Sequence, residues 1–328
     1  MNKKINKIAV LTSGGDSPGM NAAIRAVVRN AAYTGLTCDG VYRGFQGLIE
    51  NEFVELGPRD VKNTINRGGT FLKSARSKDF MDKDGRLKAY KNLKARHIDA
   101  LVVIGGDGTF TGASVFSKEF DMPIIGIPGT IDNDINGTDY TIGYDTALNT
   151  VVEAIDKIRD TASSHDRLFL IEVMGRDAGD IALNSGIGAG AEEILIPEEN
   201  LGIDRLIESL EKSRKTGKSS SIVVVSEGDQ IGKNITNVAE SIQENLPDYE
   251  VKVTVLGHIQ RGGSPSCFDR VLASRLGVGA VDALLEGKSN IMVGIEHKKI
   301  VHVPFETAIN IKKILDIDLI RVADIVSS

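Results

Sequence analysis

The sequence predicts an α/β protein with doubly wound, mostly parallel sheets. Short apolar runs alternate with helix-length amphipathic segments from end to end, and glycines gather directly behind those runs. Glycine is abundant, at 35 of 328 residues, while tryptophan is absent. The length suffices for one large domain or for two lobes with cores of their own.

In chain order, Lys7–Thr12 reads as a buried strand and Met20–Tyr33 as a helix with Ile24, Val27, Val28 and Ala31 facing inward. Ser17 is placed to cap that helix, with Pro18 in its first position. Strand-like runs recur at Ala100–Ile104, Ile124–Ile127, Leu168–Val173, Ile222–Ser226, Val251–Leu256 and Ile291–Ile295. Helical patterns fall at Thr109–Phe120, Tyr144–Thr161, Ile203–Lys215, Asn237–Asn245 and Asp269–Leu285. Such alternation places ligands at the carboxyl ends of the strands. No low-complexity tract, long linker or short-period repeat appears, so composition alone marks no lobe boundary.

Charge and composition exclude several classes. The chain carries 39 Lys+Arg against 45 Asp+Glu, a net −6. A general nucleic-acid binder would need a basic surface to displace counterions; a local cationic pocket for a phosphorylated small molecule remains open. Two cysteines, Cys38 and Cys267, make no disulfide framework and suit a reducing compartment. No apolar stretch approaches the roughly 18–20 residues of a membrane span, and no signal-peptide segment follows the first lysines. A cytoplasmic protein is expected, without membrane or nucleic-acid partners.

The glycine loops carry the chemistry. Ser13-Gly14-Gly15-Asp16, Gly105-Gly106-Asp107-Gly108-Thr109 and Pro128-Gly129-Thr130-Ile131-Asp132-Asn133-Asp134 each follow a strand. Glycines there let backbone N–H groups approach phosphate oxygens, at the positive end of the next helix. A single such loop would be an ordinary tight connection; three on one side of a sheet point to a phosphate site. Gly217-Lys218-Ser219 and Gly287-Lys288-Ser289 imitate the tail of a P-loop, but Lys212 and Asp282 stand where its first glycine is required. No HExxH or paired-cysteine cluster suggests zinc. Asp132 and Asp134 admit two readings: turn chemistry, or a base for a substrate hydroxyl with a second carboxylate near Mg²⁺, as phosphoryl transfer requires.

Six motifs then occur in order: Ile65-Asn-Arg-Gly-Gly-Thr-Phe71 with Ser74-Ala-Arg76, Val103-Ile-Gly-Gly-Asp-Gly108, Pro128-Gly-Thr-Ile-Asp-Asn-Asp134, Glu172-Val-Met-Gly-Arg176 and Leu256-Gly-His-Ile-Gln-Arg-Gly-Gly-Ser-Pro265. Together they closely resemble the bacterial 6-phosphofructokinases, over nearly the whole chain. The resemblance implies two doubly wound three-layer lobes. A larger ATP-binding lobe would take 1–143 and 260–310, and a smaller fructose 6-phosphate lobe 144–259 and 311–328, with the active site in their cleft. It also implies a homotetramer, with sites completed across subunit interfaces, and transfer of the ATP γ-phosphoryl group to the 1-hydroxyl of fructose 6-phosphate.

The same resemblance assigns residues. Asp132 matches the general base; Asp107 and Asp134 match the carboxylates serving Mg²⁺. The Gly14 N–H and Arg176 match donors to the transferring group, and Thr130 lies beside the reacting oxygens. Arg76, Ser77, Gly106, Gly108 and Thr109 fall on nucleotide positions, as does Phe45, near adenine; without the motif, Arg76 would read as a surface arginine and Phe45 as a loop aromatic. Met174, Gly175, Glu227, His258 and Arg261 fall on sugar-phosphate positions. Arg167 and Lys252 would reach the 6-phosphate from a neighbouring subunit. Lys252 departs from the family's usual arginine and loses its bidentate fork, so Lys252→Arg is expected to tighten fructose 6-phosphate binding.

Two further expectations concern donor and effector. Pyrophosphate-dependent relatives usually carry an aspartate at the position of Gly108 and a lysine at that of Gly129, where ATP would lie; glycine at both predicts open volume and ATP as donor. Arg25, Arg29, Arg59, Arg159, Glu192 and Lys218 match an effector site for ADP or phosphoenolpyruvate. Arg25 and Arg29 would otherwise be solvated surface, although like charges four apart cost about 0.2–0.5 kcal/mol on an isolated helix. Pro58, Thr216 and Ser219 depart from the pattern, so a weak or selective response is expected. The rivals are a pyrophosphate-dependent enzyme, an NAD kinase, which shares Gly-Gly-Asp-Gly-Thr, and a non-enzymatic metabolite sensor.

Overall fold

The computed structural model describes residues 5–164, 167–199, 202–215, 221–247 and 249–327. The chain opens with β1 Lys7–Thr12, α1 Met20–Tyr33, β2 Thr37–Val41, α2 Gly44–Glu50, β3 Phe53–Leu56, α3 Lys83–Ala95, β4 Ala100–Gly105, α4 Asp107–Phe120 and β5 Ile124–Pro128. There follow α5 Tyr144–Ser163, β6 Arg167–Val173, α6 Asp180–Ala189, β7 Glu193–Leu195, α7 Ile203–Lys215, β8 Ser221–Ser226, α8 Ile235–Asn245 and β9 Glu250–Val255. It closes with α9 Cys267–Leu285, β10 Ile291–Glu296, β11 Lys299–Pro304, α10 Phe305–Asn310 and α11 Ile317–Ser327. These fall into two compact units: Met1–Ile131, Ile135–Thr146 and Arg261–Lys313 in one, Asp132–Asp134, Ala147–Gln260 and Ile314–Ser328 in the other.

The first unit is built on a seven-stranded sheet in the order β11-β10-β5-β4-β1-β2-β3. Pairing is parallel except at β2–β3 and β10–β11. Its central strands are apolar throughout because both faces are covered. Ile8, Val10, Val102 and Ile104 face one layer, with Ile24, Val27 and Leu276. Ala9, Leu11, Leu101 and Val103 face the other, with Phe110, Phe116 and Leu93. Helices α1 and α9 approach so closely that a Cβ at Gly277 would lie 2.6 Å from Ala26 Cβ. Asn30 Nδ2 fastens the pair by donating to Val278 O and Asp282 Oδ1.

The start of α1 corrects the expected cap. Gly19, at φ 108°, holds the cap position with no side-chain bond, and Ser17 Oγ is buried without a hydrogen-bond partner among the described residues. The turn is closed by backbone instead, Met20 N to Ser17 O and Ala23 N to Gly19 O.

The second unit has a four-stranded, wholly parallel sheet ordered β7-β8-β6-β9. Leu168, Leu170, Val223 and Val225 pack with Leu206, Leu210 and Ile242. The first sheet reverses its direction of winding once, between β1 and β4. That reversal opens a crevice at the carboxyl ends of the flanking strands.

Candidate functional site

In the first unit the three glycine loops leave adjacent parallel strands, β5, β4 and β1, around the reversal. Their backbones are tied together: Ser13 N donates to Ile104 O at 3.0 Å and Gly129 N to Gly105 O at 2.9 Å. At Gly105 no side chain fits, since a Cβ would stand 2.4 Å from Ser13 O. Gly14 adopts φ 82°, and its carbonyl accepts from Ser74 Oγ at 2.6 Å. Helix α4 begins at once after Gly106, with Asp107 exposed in its first turn. Its first N–H groups lack intrahelical acceptors and form the positive end of the helix. Thr109 Oγ1 is buried beside this loop with no hydrogen-bond partner among the described residues.

The two glycines expected to discriminate the donor, Gly108 and Gly129, differ. A Cβ at Gly108 would meet nothing within 4 Å among the described residues. At Gly129 it would come within 3.1 Å of Ile104 Cγ2 and of Met20 Cε. Open volume is therefore found at Gly108 and not at Gly129, where core packing itself favours glycine.

Other nucleotide-assigned residues take varied places. Arg76 is exposed. Ser77 Oγ donates to Gln46 Oε1 and accepts from Phe80 N. Phe45 lies on α2 rather than in a loop; it is 6 % exposed and stacks on Phe80 with centroids 4.2 Å apart, so packing accounts for it. Arg261, assigned to the sugar phosphate, lies across Gly15, where a Cβ would be 2.5 Å from its Nη1, and it donates to Asp16 O at 3.4 Å.

In the second unit the chain turns sharply after β6. Gly175 and Arg176 both have positive φ, 147° and 54°, and both N–H groups donate to Glu227 Oε1, at 3.2 and 2.9 Å. Glu227 is itself placed by its N–H on Val173 O. A Cβ on Gly228 would lie 1.7 Å from Arg176 O, so the turn closes only over glycine. So held, Arg176 brings Nε to 3.6 Å from Asp132 Oδ2; the Asp132 carboxylate is 2 % exposed and the arginine 62 %. The neighbouring Asn133, at φ 54°, donates from Nδ2 to Asp180 Oδ1. Asp134 is half-buried, as is Met174, whose N–H donates to Gln260 Oε1. His258 is exposed at the end of β9. Thr130, in the first unit, is buried, and its carbonyl accepts from Thr141 Oγ1 at 2.7 Å.

Arg167 and Lys252 share one partner, Glu250. Arg167 Nε stands 2.6 Å from Oε2 and Lys252 Nζ 2.7 Å from Oε1.

The effector candidates divide between the units. Arg25 is half-buried and Arg29 exposed on α1; burial, and then the charge of Arg29, lower the pKa of Arg25. Arg59 is exposed in a turn. In the second unit Arg159 donates to Ala189 O and Gly190 O at the carboxyl end of α6 and sits 3.7 Å from Glu192. Glu192 Oε2 accepts from Ile222 N. Lys218, with Thr216 and Ser219, lies outside the described residues.

Among the described residues no group of three or more His, Cys, Asp or Glu could hold a metal. Mg²⁺ needs no such cage, since it binds through one or two carboxylates together with substrate phosphates, and exposed Asp107 beside the phosphate-type loop suits that mode. No described helix is long and apolar enough to cross a membrane. Two residues to which the sequence alone gives no role are buried and hydrogen-bonded. Gln260, fully buried, links Met174 N to Gly257 O; its place inside the run Gly257-His-Ile-Gln-Arg261 is the signal the sequence offers. Asp269, fully buried, had none.

The sequence matches the Phosphofructokinase family over residues 7–284. It is 56% identical over 315 residues to ATP-dependent 6-phosphofructokinase 2 of Bacteroides thetaiotaomicron, covering 96% of each chain. It is 53% identical to ATP-dependent 6-phosphofructokinase 1 of Thermus thermophilus, over 98% of this chain and all of the other. Among solved structures, Saccharomyces cerevisiae phosphofructokinase superposes with a TM-score of 0.87 at 38% identity, over 93% of this chain and 45% of that longer one.

Proposed function

The chain belongs to the phosphofructokinase family, and on that premise we propose that it phosphorylates fructose 6-phosphate at the 1-hydroxyl with ATP, giving fructose 1,6-bisphosphate and ADP. The observation that carries the assignment is the buried Asp132 carboxylate with Arg176 Nε 3.6 Å away. Asp132 takes the proton of the 1-hydroxyl as that oxygen attacks the γ-phosphorus. The Arg176 guanidinium offsets the charge that spreads over the transferring oxygens, as catalysis of phosphoryl transfer demands. Glu227 fixes Arg176 through its backbone, so a carboxylate beside the sugar-phosphate residues also sets the catalytic cation.

The Gly14 N–H and the amino end of α4 receive the nucleotide phosphates, with Arg76 as a further cation and Thr130 beside the reacting oxygens. Asp107, joined by Asp134, is the carboxylate set for Mg²⁺, which supplies charge neutralisation to the phosphates when bound. Met174, Glu227, His258 and Arg261 hold the sugar phosphate. Arg167 and Lys252 receive the 6-phosphate from the neighbouring subunit of a homotetramer. The first unit is accordingly the nucleotide lobe and the second the sugar-phosphate lobe of a cytoplasmic enzyme. The open space at Gly108 supports ATP over pyrophosphate as donor. Arg25, Arg29, Arg59, Arg159 and Glu192 are proposed to take an anionic effector, ADP or phosphoenolpyruvate.

The test is fructose 1,6-bisphosphate formation with Mg²⁺ and either ATP or pyrophosphate, for the wild type and Asp132→Asn. Turnover with ATP alone is expected, and Asp132→Asn should slow it about 10²–10⁴-fold or more. Turnover with pyrophosphate alone overturns the donor assignment; a near-wild-type rate for the variant removes Asp132 as base.

A further inference from the structure

We propose that Glu250 is a built-in competitor for the sugar-phosphate site: its carboxylate occupies Arg167 and Lys252, and the substrate's phosphate must take those cations from it. The inference rests on the reading that Arg167 and Lys252 receive the phosphate. Everything else comes from the edge of the second sheet. Arg167 opens β6 and Glu250 opens β9, and the two are direct partners in the parallel register. Lys252, two residues on, shares their face. Each carboxylate oxygen serves a different cation, Oε2 that of Arg167 at 2.6 Å and Oε1 that of Lys252 at 2.7 Å.

An edge strand is commonly blunted by a lone lysine. Here the edge carries both signs, and one anion spans both cations. Lys252 first, and Arg167 next, hold the Glu250 carboxyl at about 2, so it stays charged at any working pH. The side chains are 26%, 48% and 44% exposed for Arg167, Glu250 and Lys252, leaving the cluster open to solutes. Exposed ion pairs are weak and exchange readily. A phosphate monoester brings about −1.5 to −2 charges and three acceptor oxygens against one charge and two oxygens. It can therefore displace the carboxylate, whereas a neutral sugar cannot. Glu250 thus sets a threshold that favours phosphorylated sugars and lowers the apparent affinity for all of them.

The experiment is fructose 6-phosphate saturation at fixed MgATP for wild type, Glu250→Gln and Arg167→Met, with thermal melting to confirm folding. Glu250→Gln should lower KM for fructose 6-phosphate about three- to tenfold, the scale of two exposed pairs. The KM for ATP should not move. Inorganic sulfate, used as a probe against fructose 6-phosphate, should inhibit Glu250→Gln at lower concentration than the wild type. Arg167→Met should raise KM for fructose 6-phosphate; if it does not, the phosphate-site reading fails. If it does, and Glu250→Gln leaves KM unchanged or raises it, the competition is overturned and Glu250 only orients Arg167.

Discussion

Asp269 has no accessible surface, yet its carboxylate is fully engaged. Oδ1 accepts from Gly143 N at 2.8 Å, and Oδ2 from Thr146 N at 2.8 Å and Thr146 Oγ1 at 2.5 Å. Burial pushes its pKa up, and the bonds from Thr146 and Gly143 pull it back. From the first turn of α9 it thereby fixes the first turn of α5. The residues just before that turn hold the loop leading to Asp132, through Thr141 Oγ1 on Thr130 O and Ile142 N on Pro128 O. Asp269→Asn replaces an acceptor with a donor facing other donors. It should cost about 1–3 kcal/mol, the scale of an unsatisfied buried group, read as a lower urea midpoint. Nothing in the sequence exposes this role. Asp269 fits a helical pattern, and its partners lie 123 and 126 residues away.

At the scale of elements, α11 lies beside β7 and α6 with carboxylates in the packing. Glu193, Glu199 and Asp324 share a small pocket with Arg205. Burial, with Asp324 adding like charge, raises the pKa of Glu193, against Ser209 and Arg205 which lower it; Glu199 is raised by burial and then by Asp324. A carboxyl raised in the fold keeps its proton where the unfolded chain has lost it. Stability from this cluster is thus fully present below the ordinary 4.5 and lost as pH rises through the raised values. Asp324→Asn should stabilise the protein by a few tenths to about 1 kcal/mol near neutral pH, and the gain should vanish near pH 4. A denaturant series at the two pH values checks this.

Legibility at this scale followed burial. β1, β4, β5, β6 and β8 are covered on both faces and read as apolar runs. The edge strands β3, β7 and β11 are short or half-exposed. Helix α3 buries only Arg86, Ala89 and Leu93, and α6 is rich in small residues, so neither shows an apolar stripe. Of the residues that the resemblance assigned to the site, Asp132 and Arg176 do meet. The different fates of Gly108 and Gly129, and the backbone service of Glu227, depend on packing and φ angles that spacing does not encode.

For the whole molecule, the proposed homotetramer, in which Arg167 and Lys252 complete a neighbour's sugar-phosphate site, places a subunit contact beside them. Val255 and Ile259, each 56% exposed, flank that edge. Val255→Lys should reduce the assembly below a tetramer in sedimentation velocity and raise KM for fructose 6-phosphate in parallel; an intact tetramer would remove β9 from the interface. Within each chain, the stitching of Ser13 to Ile104 and of Gly129 to Gly105 has a consequence for timing. Those amides belong to the loops but are bonded as strand interior, so they should exchange with deuterium only when the first unit opens as a whole. The loops proposed as the phosphate cradle are then inherited from folding, and on that proposal an arriving nucleotide finds them already at rest.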